Sequence, residues 1–379
     1  MEEVLIVTPE TKNSFLSLVR LGIGHNSVLP DVIDWQAIKA LADKQGLTAV
    51  VLDGLNSLPL NSLDAYEMPQ MMRLEWIGEV LQSYEARYKQ YEKAISSLAG
   101  WYNQHGFKMM VLKGYACSLD WPKPEHRPCG DIDIWLFGAQ KEADALLESS
   151  EFRVESLESV KKVQSIKVDN SHHHHTVFEW EGFTVENHYD FVNVYAHKSS
   201  AELEKIFKEL GQDDSHYVEV NGERVYLPSP NLHALFLLRH MVSHFAAAEI
   251  TLRQVLDWAF FVEKHTKEVD WEWLDEMLVK YHMKEFVSCI NAICVEDLEF
   301  SVDIFPAVQF VPELKERVLK DILEPEYTAA EPKGLLPRVI YKYQRWQGNA
   351  WKQEMCYGES RWSAFWSGIW AKILKPASI

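Results

Sequence analysis

Apolar residues recur at three- and four-residue spacing over 11–20, 34–45 and a long stretch, 71–105, which predicts amphipathic helices. Pro30-Asp-Val-Ile-Asp34 and Asn61-Ser-Leu-Asp-Ala65 supply start signals ahead of the second and third. Gly106 stands where a glycine closes the last one. The pattern then changes. Lys108-Met-Met-Val-Leu112 reads as a short apolar strand, followed by Lys113-Gly114 and a short helix over 115–120. Pro122, Pro124 and Pro128 stiffen the next loop. A second strand is predicted over 132–137, a helix over 140–150 and weaker strands over 152–168. Alternation over 172–180 and 183–192 predicts a hairpin turning at Glu181-Gly182. A helix over 201–210 leads to a second hairpin over 217–227, with Asn221-Gly222 as its turn. From Pro230 the spacing is helical to the end, with breaks near Pro306, Pro312, Pro325 and Pro332. The expected class is α+β: a helical region over 1–105, a sheet-bearing centre over 106–228 and a helical region over 229–379.

Length and charge narrow this picture. A chain of 379 residues is long enough for two or three domains with a sizeable core. A net charge of −18 argues against a surface that tracks long nucleic acid, yet leaves room for a local basic pocket. The five cysteines are odd in number and lack CxxC spacing, which points to a reducing compartment with neither a disulfide framework nor a zinc knuckle. Met1-Glu-Glu has no basic leader character, and no long uncharged apolar run occurs, so a cytoplasmic location is expected.

The chemistry concentrates at Asp131-Ile-Asp133. At the two-residue period of a strand both carboxylates point to one face and Ile132 and Ile134 to the other. Two such carboxylates repel each other unless a cation lies between them. Mg²⁺ is the natural occupant, since it takes one or two carboxylates and completes its shell with water and phosphates. Phosphoryl or nucleotidyl transfer is the reaction class this pair suggests.

Val111-Leu-Lys-Gly-Tyr115, Arg127-Pro-Cys-Gly-Asp-Ile-Asp133 and Val185-Glu-Asn-His188 together resemble the polymerase-β type of nucleotidyltransferase. More specifically they are similar to an uncharacterised bacterial nucleotidyltransferase family, over about residues 108–260 and including Leu252-Arg-Gln-Val-Leu-Asp257. The resemblance implies a small mixed-sheet core flanked by helical regions, and a Mg²⁺-dependent transfer of a nucleoside monophosphate, with Mn²⁺ as a substitute ion. It implies that Asp131, Asp133 and a third carboxylate, Glu186, hold the metal, with the last also helping to deprotonate the acceptor hydroxyl. The donor would be a nucleoside triphosphate and the acceptor a small molecule or a protein. The competing reading of Glu186 is a half-exposed surface glutamate in an edge hairpin.

One departure stands out. Better-known members of the superfamily carry glycine-serine at the start of the first helix, whereas this chain reads Lys113-Gly114-Tyr115, with Ser118 one turn on. Gly114 would still admit close backbone approach to a phosphate, and Lys113 would supply the charge. Its alternative is a solvated lysine ending a strand. Ser118, Arg127 and Gly130 complete the candidate phosphate set, with Arg127 instead pairing with Asp131 or Glu125 in the structural alternative. The altered segment favours a second function: a catalytically weak or inactive protein that binds or regulates, including as one half of a toxin–antitoxin-like pair.

A turn at Glu181-Gly182 pairs Val177 with Glu186, His175 with His188 and His173 with Asp190. His173, His175 and His188 would then share the face of Glu186, as a wall for the acceptor, as a soft-metal site or as solvated side chains. His240 and His244 have helical metal-site spacing but sit in an apolar stretch, where buried hydrogen-bonded histidines are expected. The tryptophan-rich end, 361–375, is expected to dock on the protein rather than on a membrane.

Overall fold

A computed structural model describes residues 7–58, 66, 68–150, 152–154, 162–195, 197, 199–306, 310–327 and 332–358, with backbone alone for 152–154 and 162–164. The tryptophan-rich end lies outside the described residues. Contacts group the described chain into two units. One holds the residues within Met1–Tyr88, Ser118–Pro128 and Leu237–Arg361, and the other those within Lys89–Cys117 and Cys129–Phe236.

The first unit is helical. Helix Pro9–Gly22 is predicted and observed, and it packs against Thr48–Asn56, a helix the spacing does not predict, with Phe15, Leu18, Val51 and Leu55 in the core. Gly54 makes their close approach possible, because a Cβ there would lie 2.0 Å from the Leu18 carbonyl oxygen. The long stretch predicted as one helix is observed as Gln70–Glu79, a π-helical turn Val80–Glu85 and Ala86–Gln104, of which the residues from Lys89 on belong to the second unit. Leu252–His265 starts with a capping box between Thr251 and Gln254, and its Trp258 donates to Asn291 Oδ1 at 2.7 Å. No helix among the described residues is long and apolar enough to cross a membrane.

The second unit is built on a mixed six-stranded sheet in the order β5-β6-β2-β1-β8-β7. Its strands are β1 (Met110–Val111), β2 (Ile132–Trp135), β5 (His175–Trp180), β6 (Phe183–His188), β7 (Tyr217–Val220) and β8 (Glu223–Tyr226). β3 (Phe152–Val154) and β4 (Lys162–Gln164) form a separate pair. Both hairpins turn where the residues demand it, with Glu181-Gly182 at φ 47° and 83° and Asn221-Gly222 at φ 50° and 86°. β2 lies inside the sheet, antiparallel to β1 and parallel to β6. All four of its residues are buried, so the only carboxylate within the strand, Asp133, is surrounded by Ile132, Ile134 and Trp135.

The register sorts the side chains into two faces. Asp133 pairs with Glu186, Glu186 with Val177, and His188 with His175. Asn187 and Thr176, one residue along, point the other way and reach Asp144 on the helix Gln140–Ser149. Thr176 Oγ1 and Asn187 Nδ2 each donate to Asp144 at 2.8 Å, and Gln140 donates as well. Burial raises the Asp144 pKa, and these donors partly offset it. The helix is thereby tied to β5 and β6 through one buried carboxyl group, which holds the opposite face in register. Thr176→Val, which keeps the shape and deletes one donor, is expected to destabilise the protein by about 1.5–3 kcal/mol. A urea unfolding midpoint unchanged from wild type would show that the Asp144 network does not carry that load.

Candidate active site

On the face opposite Asp144, three side chains converge. Asp133, Glu186 and His188 each present a ligand atom within 4.8 Å of the others. Asp133 Oδ1 receives Lys113 Nζ at 2.7 Å and lies 3.1 Å from His188 Nε2, while Glu186 Oε2 is 3.8 Å from the same nitrogen. Lys113 is placed by the end of β1, and its side chain is 17% exposed, so it is a half-buried counter-ion rather than a solvated lysine. Burial pushes the Asp133 pKa up, but the charge of Lys113 and the contact with His188 overcome it and hold the carboxylate ionised, well below the usual range. Glu186 has the opposite fate: burial, then the negative charge of Asp133, raise it to about 7. Two adjacent carboxyls with pKa values driven apart are the arrangement in which one stays ionised while the other can exchange a proton.

Asp131 stands apart from this cluster. It precedes β2 and is exposed, and its backbone carbonyl accepts the Tyr91 hydroxyl at 2.8 Å. Burial and the charge of Asp133 nevertheless raise its pKa. Gly114 has φ 46°, and a Cβ there would lie 2.6 Å from the Tyr91 hydroxyl. The glycine is therefore needed to let Tyr91 reach across and fix the backbone that enters β2. Gly130 is exposed beside Asp131. The three carboxylates offer the hard oxygen donors that Mg²⁺ takes, and burial followed by the negative charge of Asp133 raises both Asp131 and Glu186, so the donor set is compatible with such an ion. Carboxylate oxygens suit Mn²⁺ as well.

Two candidates are engaged elsewhere, in the helical unit. Arg127 pairs with neither Asp131 nor Glu125: its Nε and Nη2 donate to the two oxygens of Asp257 at 2.8 and 2.9 Å, and Trp121 Nε1 donates to the same carboxylate at 2.8 Å. Ser118 is fully buried, with its hydroxyl 2.9 Å from that of Tyr88. Nothing in the local sequence distinguishes Asp257 as the partner of Arg127, because the two are 130 positions apart.

The histidines need a correction of one residue. His175 and His188 pair as the turn predicts, but the ladder ends at His175, and the amides of Tyr189 and Asp190 both donate to the His174 carbonyl. Alternation stops there, so His174 rather than His173 joins His175 and His188. His240 and His244, expected to be buried, lie half-buried and exposed, with their Nε2 atoms 3.1 Å apart.

The family described as "Uncharacterised nucleotidyltransferase" matches residues 31–298, beyond the 108–260 expected on both sides. Among curated proteins nothing matches the chain. A solved structure described as an antigenic nucleotidyltransferase-like protein from Paracoccidioides brasiliensis is 13% identical. It aligns over 56% of this chain and 93% of its own, with a TM-score of 0.31.

Two predictions follow from the geometry. Removing one partner of a buried ion pair leaves the other uncompensated, so Arg127→Ala should cost about 3–5 kcal/mol of unfolding free energy. An Arg127→Ala variant as stable as wild type in urea would refute the bracing role. Glu186 binds a proton in the folded metal-free protein that the unfolded chain has already released, so stability should fall as pH rises from about 4.5 to about 7. Burial raises Glu204 to about 7 as well, and it adds to this fall. Glu186→Gln should therefore flatten part of the slope in thermal melts taken across that window, and an unaltered slope would exclude Glu186 as its source.

Proposed function

We propose that this chain, which belongs to the uncharacterised nucleotidyltransferase family matched over residues 31–298, moves a nucleoside monophosphate from an NTP to the hydroxyl of a small molecule or protein. The observation that carries this reading is the register pair Asp133–Glu186, one carboxylate held ionised by Lys113 and the other raised to about 7. Asp131, Asp133 and Glu186 would hold Mg²⁺, or Mn²⁺ in its place. Such an ion, when bound, neutralises charge on the phosphoryl oxygens and orients an in-line displacement.

The remaining roles belong to the protein's own groups. Asp133 needs no ionisation step at neutral pH, because Lys113 and His188 already favour its anion. Lys113 is assigned the triphosphate, as a point charge that exchanges its contact with Asp133 for phosphate oxygen. Gly114 serves this indirectly, by admitting Tyr91 and so fixing the strand entry. Arg127 and Ser118, each already hydrogen-bonded in a buried setting, are read as structural. Glu186, titrating near neutrality, is suited to take the acceptor's proton. The net charge of −18 favours a small or protein acceptor over long nucleic acid.

Thermal shift with each of the four NTPs, in Mg²⁺ and in Mn²⁺, tests the reading against an Asp131→Ala control. A metal-dependent rise in Tm with at least one NTP, lost in the control, is expected. No shift with any NTP in either metal would overturn it, and nucleotide binding without turnover of any hydroxyl acceptor would assign a regulatory role instead.

A further inference from the structure

We propose that His174, His175 and His188, closed by Glu186, form a site for a first-row transition dication of the zinc class. The donor chemistry differs from that of the carboxylates that suit Mg²⁺. Ligand atoms of the three imidazoles lie within 4.8 Å of one another. Glu186 Oε2 supplies a fourth donor, 3.7 Å from His175 Nδ1 and 3.8 Å from His188 Nε2. Tetrahedral ligands around Zn²⁺, with Zn–N of about 2.0–2.1 Å, stand about 3.4 Å apart, so small side-chain rotations close the set.

The state of the ring nitrogens points to a ligand here rather than to packing. His175 is 7% exposed, and among the described residues both of its ring nitrogens lack a hydrogen-bond partner, as does His174 Nδ1. A buried polar atom left in that state costs about 1–3 kcal/mol, which a bound cation would offset.

The site shares Glu186 and His188 with the carboxylate cluster, yet it does not depend on nucleotidyl transfer, and its test contains no nucleotide. The full chain, stripped with chelator, is titrated with Co²⁺ and followed by visible absorption. One equivalent should give the intense d–d bands of a tetrahedral ion, and Zn²⁺ should abolish them. His175→Gln should weaken Co²⁺ binding at least about tenfold, while Asp131→Asn, which alters only the hard-ion set, should leave it unchanged. Absence of tetrahedral bands in the wild type overturns the proposal, as does undiminished binding in a His174→Gln/His175→Gln protein. Equal loss in Asp131→Asn overturns it too, by placing the ion at the carboxylates. Should the histidine variants fail to fold, the wild-type spectrum and its Asp131→Asn counterpart decide the matter.

Discussion

A carboxylate buried in the middle of a sheet has to be neutralised from within the protein, and the contact between Asp133 and Lys113 meets that need here. Asp133 occupies a strand whose other residues are all buried and apolar, and its anion survives because an ammonium group and an imidazole lie against one of its oxygens. The consequence spreads along the register. With Asp133 ionised, the adjacent Glu186 is pushed toward its neutral form, and the face of β5, β6 and β2 becomes a graded set of proton and cation acceptors. The fold holds the register on which this depends by tying the reverse face, through Thr176 and Asn187, to Asp144.

The same economy explains the departure from the usual glycine-serine segment. In this chain the lysine after β1 both neutralises Asp133 and stands ready as a phosphate ligand. The glycine beside it has been committed to a different task, since its missing Cβ lets Tyr91 grip the Asp131 carbonyl. The positively charged residue that sequence proximity would place at the same phosphate, Arg127, is spent on Asp257 within the helical unit. A bidentate guanidinium–carboxylate contact buried on both sides is a brace whose removal is costly.

The hairpin shows how far local pattern carries. Glu181-Gly182 as a turn, and with it the pairings of Val177 with Glu186 and His175 with His188, followed from residue types alone, because a two-residue turn sets the register. Alternation would bring in His173, but it holds only while strands pair, and the amides of Tyr189 and Asp190 share one carbonyl where the pairing ends. His174 consequently takes the inward place. The four-histidine run was the available signal, and its phase depended on where the strand would start.

By itself the sequence determined the family, the two hairpin turns and the helical flanks. Each of these rests on contacts close along the chain or on motif spacing. Only the tertiary structure decided which groups neutralise which. Lys113 meets Asp133, Glu186 lies across from Asp133 rather than at a free edge, and Arg127 finds a partner 130 positions away. Charge partnership at a buried site is set by distance and dielectric in three dimensions, and no periodicity along the chain encodes it.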